Sequence, residues 1–293
     1  MDSKKVGIFS DTHGNLPALE AIVQLFNREK CDEIYHLGDM ISMGPYSREC
    51  VEYFFAHPDI QCVRGNHDND FVRNNRVQAD KSHISTAHKN FVFDSLGEEL
   101  RKKTETIPFT LRREYFGLKV IFTHYAREAD DSAFQPLDKN PTPEKLDKMF
   151  AHYDADVIFF GHYHTPMSMR GKKLYVDVGS VGCHAGSFAR GIILEVFGDG
   201  SFKYDSVTEP YDRQGLFDAM KKKALPDYEF IQSFYFRRQN SEPMKKDTDG
   251  KKTVRLIIYS RFCQAENRSL LRKTLTEPRY ATLSARSARF PKS

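Results

Sequence analysis

Five short polar clusters stand in the first 164 residues, and each is built from groups that can bind a metal ion. They are Asp11-x-His13, Gly38-Asp39, Gly65-Asn66-His67-Asp68, Thr123-His124 and Gly161-His162-Tyr163-His164. Together they offer carboxylates (Asp11, Asp39), an amide oxygen (Asn66) and imidazoles (His13, His124, His162, His164), with no thiolate. Mixed oxygen and nitrogen donors suit Mn²⁺, Fe or Zn²⁺ better than a soft thiolate site does. These seven ligands exceed one ion's usual need unless two ions share them. A single carboxylate can bridge two cations, and a pair about 3.5–4 Å apart is a recurrent clamp for in-line phosphoryl displacement. Any one cluster alone would read as a turn or a helix cap. All of them together, without a ligand, would place many costly-to-desolvate groups at strand ends for no gain.

Each cluster follows an apolar run of strand length. The runs are Val6–Phe9, Glu33–Leu37, Gln61–Arg64, Lys119–Thr123 and Asp156–Phe160. In open α/β sheets the carboxyl ends of the strands are where ligands bind, and glycines beside Asp39, Asn66 and His162 allow sharp turns and close approach. Helical periodicity appears over Leu16–Glu29, Ser47–Phe55, Lys81–Thr104 (broken at Gly97), about Pro143–His152, Gln214–Lys223 and Asp227–Ser233. Further strands are expected at Leu174–Val178, Gly191–Phe197 and Phe202–Val207, the last two joined by a tight Gly198-Asp199-Gly200 turn. Early strand–helix alternation followed by closely spaced strands predicts an α/β sandwich of mixed sheets.

The 293 residues suit one large domain with an appendage, and 40% hydrophobic with 29% charged residues is an ordinary globular balance. No apolar run approaches the ~20 residues of a membrane span. No signal-like apolar core opens the chain. Five scattered cysteines (Cys31, Cys50, Cys62, Cys183, Cys263) form no C-x-x-C, which argues against a disulfide framework and for a reducing cytoplasm. Charge is uneven. From Ala219 onward there are 18 Lys+Arg against 7 Asp+Glu; the totals of 44 and 40 leave 26 and 33 before it. A boundary is placed near Phe236, giving a domain over 1–236 and a basic, loosely ordered extension over 237–293 with one strand-like run, Val254–Tyr259. Such an extension could attract nucleic acid electrostatically. A solvated tail without a partner is at least as good a reading.

The five clusters, in order, resemble the signature of the calcineurin-like metallophosphoesterases over about Lys4–Val207. Ser10-Asp11-Thr12-His13-Gly14-Asn15 and Val178-Gly179-Ser180-Val181-Gly182 look most like the small bacterial branch of that family. The resemblance implies a four-layer sandwich, two mixed β-sheets flanked by helices. It implies a hydrolase of phosphomonoesters or phosphodiesters, nucleotides among them. It puts Asp11, His13 and His164 on one metal and Asn66, His124 and His162 on a second, with Asp39 bridging. Two divalent ions are implied, Mn²⁺ first and Fe, Zn²⁺ or Ni²⁺ as alternatives, with a hydroxide between them as nucleophile. His67 becomes the catalytic acid or charge stabiliser, oriented by Asp68. Met43 stands where the protein-phosphatase and diadenosine-tetraphosphatase branches carry a phosphate-binding arginine, and Asp68 where the phosphatases favour Glu. Both departures argue against those two branches.

Other candidates receive plainer readings. His36, His57, His83, His88 and His152 are assigned to satisfied core positions, and His184 to a loop. Asn15 and Ser180 could act as supporting donors. Lys221–Lys223 reads as a solvated helix face, and the aromatic run Tyr228, Phe230, Phe234, Tyr235, Phe236 as a terminal helix packing on the body, with base stacking the less ordinary use. Substrate choice is expected in the loops Asn69–Lys81 and Ala126–Pro143. A non-catalytic scaffold on this fold and an RNA-directed phosphodiesterase guided by the basic tail are the alternatives to an esterase. Oligomeric state is left open.

Overall fold

The computed structural model describes residues 2–76 and 84–236. The extension over 237–293, with Val254–Tyr259 and Cys263, lies outside the described residues, as does His83.

Two five-stranded mixed sheets form the body. The first has the order β10-β9-β1-β2-β3, with β1 (Ser3–Phe9), β2 (Glu33–His36), β3 (Ile60–Cys62), β9 (Phe188–Phe197) and β10 (Phe202–Pro210). Here β1, β2 and β3 run parallel, while β9 pairs antiparallel with both β1 and β10. The second has the order β4-β5-β6-β8-β7, with β4 (Thr110–Tyr115), β5 (Leu118–Thr123), β6 (Val157–Phe160), β7 (Met167–Arg170) and β8 (Leu174–Asp177). Its three central strands are parallel and its two edges antiparallel. The turn at Gly198-Asp199-Gly200 closes the β9–β10 hairpin, with Phe197 N donating to Ser201 O at 2.8 Å.

Period-two alternation sends one face of each sheet toward the other. Val6, Ile8, Tyr35 and Leu37 from the first sheet meet Leu118, Val120, Phe122, Val157 and Phe159 from the second in one buried cluster. At its centre the Tyr35 and Phe122 rings stack 4.0 Å apart. The opposite face of the first sheet, including Phe9, Ile34 and Ile60, packs on α1 (Leu16–Arg28), α2 (Ser47–Ala56) and α4 (Thr86–Glu105). The opposite face of the second, including Ile121, Ile158 and Phe160, packs on α5 (Pro143–Met149) through Leu146 and Phe150. Helix, sheet, sheet, helix is the four-layer sandwich that the resemblance implies.

Three elements are absent from the sequence-based reading: β4, β7 and the short α3 (Asn66–Val72). Gly97 does break α4, with φ 72° and ψ 177° inside the helical run. After β10, α6 (Arg213–Lys222) and α7 (Tyr228–Tyr235) fold back onto the loops at the strand ends. Leu216, Met220, Ile231 and Phe236 pack there with Met43 and Cys183. Among the described residues, no helix is long and apolar enough to cross a membrane.

Candidate metal centre

The parallel strands β1, β2 and β3 of one sheet and β5 and β6 of the other carry the five polar clusters at their carboxyl ends. The loops are tied by main-chain bonds: Asp11 N to Gly38 O (3.0 Å), His13 N to Asp39 O (2.9 Å) and Gly161 N to His124 O (2.9 Å). Asp11, His13, Asp39, His162 and His164 all have left-handed backbones, with φ between 48° and 79°. Non-glycine residues rarely adopt this conformation, and such strain of order 1–3 kcal/mol each collects at functional sites. Gly65 and Gly161 serve close approach rather than turning. A Cβ on Gly65 would fall on the Asp39 carboxylate, and one on Gly161 on Ser10 Oγ and Asp11 Oδ2.

The candidate ligands converge in two groups. In the first, His13 Nε2 lies 3.0 Å from His164 Nε2, and Asp11 Oδ1 lies 3.4 Å from His164 Nε2 and 3.7 Å from His13 Nε2. In the second, His124 Nε2 lies 3.0 Å from Asn66 Oδ1, 3.2 Å from His162 Nδ1 and 3.3 Å from Asp39 Oδ2. Asp39 joins the groups, because its Oδ2 is also 3.7 Å from His13 Nε2. Ligands held about 2.0–2.2 Å from one ion stand about 2.8–3.6 Å from each other; the 3.0–3.4 Å spacings fall in that range and the two of 3.7 Å lie just beyond it, so each group could hold an ion.

Tautomers are set from behind. His13 Nδ1 donates to Ile41 O at 3.0 Å and His124 Nδ1 to Leu37 O at 2.9 Å, which turns each Nε2 inward; burial opposes a proton there, but Asp11 and Asp39 raise His13 and Asp39 raises His124, to about 10, so a cation would take the place of that proton. Asp11 Oδ1 is fully buried and has no hydrogen-bond partner. An acceptor left bare in a dry site costs about 1–3 kcal/mol, and a divalent cation between Asp11, His13 and His164 would satisfy it. Burial alone would push the Asp11 carboxyl up, but the His13 and His164 imidazoles beside it hold it well below the usual carboxylate range. Asp39 behaves likewise: burial opposes ionisation, and His124 and His67 more than reverse it. Burial pushes His162 down to about 3, leaving it neutral and free to donate a lone pair.

His67 sits half-buried on α3, its ring edge-on to His13 with centroids 5.1 Å apart and its amide donating to Asp39 Oδ1 at 2.9 Å. Its ring nitrogen also falls in a group with His13 and Asp39 that could hold a metal. Asp68 differs from the expectation that it orients His67. Its carboxylate accepts the amides of Gly65 (2.9 Å), Asp39 (2.8 Å) and Met40 (2.9 Å), so it binds the α3 start to the Asp39 loop. Burial, with the nearby Asp39 charge adding to it, pushes Asp68 up to about 6.

Supporting residues are clearer in space than in sequence. Ser180 Oγ donates to Asp11 O at 2.8 Å and accepts from Cys183 N. Asn15 caps α1 through Ala18 N and donates to the Tyr211 hydroxyl. Asp177, which the sequence reading passed over, accepts Gly179 N at 2.7 Å and Tyr163 N at 3.3 Å and so anchors the His162–His164 loop. A carboxylate closing an otherwise apolar strand was the available signal. His88 is buried and bonded as expected, to Met43 N and Pro226 O, whereas buried His36 meets Thr12 through Nε2 but leaves Nδ1 without a partner. His57 is half-buried on Tyr53 O and His184 sits in its loop against Phe188. His152 is a correction: it is exposed, because α5 ends before it.

A family model for the calcineurin-like phosphoesterase superfamily domain matches residues 5–196. The chain belongs to that superfamily. As one of these metallophosphoesterases it is a phosphoric ester hydrolase; the family is metal-dependent, and the His/Asp groups of this chain could hold metal ions. It is 26% identical over 246 residues to an uncharacterized protein of Methanocaldococcus jannaschii, a match covering 78% of this chain and 96% of that one. Two solved structures share the fold. A metallophosphoesterase from Sphaerobacter thermophilus has a TM-score of 0.60 at 21% identity, covering 79% of this chain and 98% of that one. A hypothetical protein from Pyrococcus horikoshii OT3 has a TM-score of 0.64 at 19% identity, with coverage of 79% and 98%. The family match bears out the resemblance that the five clusters carry.

Proposed function

We propose that this phosphoesterase hydrolyses phosphomonoesters or phosphodiesters, nucleotides among them, using two divalent metal ions. Asp11, His13 and His164 would hold one ion and Asn66, His124 and His162 the other, with Asp39 shared. The observation that carries this reading is the pair of donor groups meeting at Asp39, with the bare Asp11 Oδ1 facing one of them. Divalent cations there would neutralise phosphoryl charge and lower the pKa of a bound water. Mn²⁺ fits the oxygen-and-nitrogen donor set, as do Fe, Zn²⁺ and Ni²⁺.

The chain's own groups complete the chemistry. Asp39 and Asp11 remain ionised despite full burial, which concentrates negative charge where the cations would sit. The main-chain partners of His13 and His124 would keep each Nε2 turned toward the ions. Burial pushes His67 down to about 4, so it is neutral in the free protein; the negative charge of a phosphoryl group bound beside it would draw a proton onto the ring, which could then pass to the departing alkoxide oxygen. Asp68 acts through the backbone, fixing Asp39, Met40 and the start of α3. The four described cysteines are free, in keeping with a cytoplasmic protein. An RNA-directed activity would depend on the 237–293 extension and has only its charge in support.

The test is hydrolysis of p-nitrophenyl phosphate and bis-p-nitrophenyl phosphate by metal-stripped protein, with and without Mn²⁺, beside the Asp39→Asn variant. Mn²⁺-dependent turnover that the substitution abolishes together with metal occupancy is the expected result. Turnover that persists in the stripped protein, or in Asp39→Asn at wild-type rate, would overturn the two-metal reading.

A further inference from the structure

Helix α7 lies beyond the 5–196 span of the family match, yet it reaches the metal centre. The ring of Tyr235, in its last turn, stands 5.9 Å from that of His164, tilted by 47°. This approach is built rather than incidental. At its start Asp227 Oδ2 accepts Ser85 N at 2.7 Å, and Pro226 O meets His88 Nδ1 at 3.0 Å. At its end Phe236 O is held by the Arg213 guanidinium, which also donates to Ala185 O at 2.7 Å. Beneath it Ile231 and Phe236 pack on Met43 and Cys183, which belong to two of the loops that form the site. The aromatic run therefore splits in use: Phe236 seals the body and Tyr235 faces the chemistry.

Tyr235 is only half-buried, and its hydroxyl has no hydrogen-bond partner among the described residues. The hydroxyl is therefore free to donate to a ligand. With an ordinary pKa near 10 it is a neutral O–H donor at neutral pH. Burial, with Cys183 and Asp39 adding to it, pushes it further up, to about 12. Across from it stands His164, one of the three residues of a group that could hold a metal ion and, with it, a phosphoryl oxygen.

We propose that Tyr235 is a substrate-binding residue, its hydroxyl donating to a phosphoryl oxygen of the ester held over His164. This rests on the phosphoesterase reading and adds to it a contact supplied by a segment outside the matched domain. A hydrogen bond to a charged oxygen corresponds to about 10- to 100-fold in affinity. Phenylalanine keeps the ring and its packing and removes only the donor.

The experiment uses the full-length Mn²⁺-loaded protein as wild type, Tyr235→Phe and Tyr235→Ala. Inorganic phosphate binding is measured by calorimetry and kcat/KM with p-nitrophenyl phosphate, alongside metal content and thermal midpoint. Tyr235→Phe should weaken phosphate binding and lower kcat/KM by about tenfold or more, with metal content and midpoint unchanged. Tyr235→Phe that matches wild type in both overturns the inference and leaves the phosphoesterase reading standing. Loss seen only in Tyr235→Ala, with a lower midpoint or less metal, also overturns it and makes Tyr235 a packing residue. A wild type without metal-dependent turnover removes the functional reading, and this contact with it.

Discussion

Asp68→Asn separates two roles for a residue that the motif alone assigns to His67. The carboxylate accepts three buried amides, two of them on Oδ2 (Asp39 and Gly65) and one on Oδ1 (Met40). Asparagine can keep its carbonyl oxygen toward the first two, but its NH₂ then faces the Met40 amide. One buried donor is left unpaired against another donor, a loss of about 1–3 kcal/mol. For a domain of this size, 1 kcal/mol moves the midpoint by about 2–4 °C, so a fall of about 2–12 °C is expected. Alanine would bare all three amides and cost about 3–9 kcal/mol, a large share of a whole domain's stability. The assay is thermal unfolding of stripped and Mn²⁺-loaded protein, paired with turnover at saturating metal. An unchanged midpoint with a large loss of kcat would refute the main-chain role and restore Asp68 as the partner of His67.

His67→Ala should lower kcat by about 10²–10⁴-fold while both metals remain bound, measured by metal analysis and steady-state kinetics; metal loss with a normal rate after reconstitution would instead make His67 a ligand beside His13 and Asp39. Phe122→Ala removes the ring stacked on Tyr35 between the sheets and should cost about 3–5 kcal/mol in chemical denaturation, with the substrate profile unchanged. Chelation should lower the midpoint of wild type, each ion contributing about 2.7 kcal/mol at a hundredfold excess over its Kd; Asp39→Asn should respond much less, and an equal response would place the stabilising metal elsewhere.

The site was largely legible because its donors interrupt apolar runs. Asp11, Asp39, His124 and His162 each follow a strand whose composition is unambiguous, and two-fold alternation sorts residues such as Ile8 and Phe9 onto opposite faces. The elements that escaped lack such contrast. Strand β4 reads Thr-Leu-Arg-Arg-Glu-Tyr and lies at a sheet edge, where charges replace one apolar face. Helix α3 opens Asn-His-Asp-Asn-Asp, with no apolar period; the amides that Asp68 gathers set its start. Roles that depend on contacts remote in sequence were hidden for the same reason. Asp68 meets the amide of Met40 and Ser180 the carbonyl of Asp11, and nothing in the local pattern marks either pairing.

Each candidate ion draws its ligands from both sheets. Asp11 and His13 follow β1 while His164 follows β6; Asp39 and Asn66 follow β2 and β3 while His124 and His162 follow β5 and β6. The metals would therefore act as rivets through the seam of the sandwich, and neither sheet alone contains a complete set of holes. During synthesis neither site could close until the chain has passed His162 and the second sheet has docked. Metal capture would then report that the two sheets have met, and a chain cut between α4 and β4 could be rejoined by the ions as well as by the core.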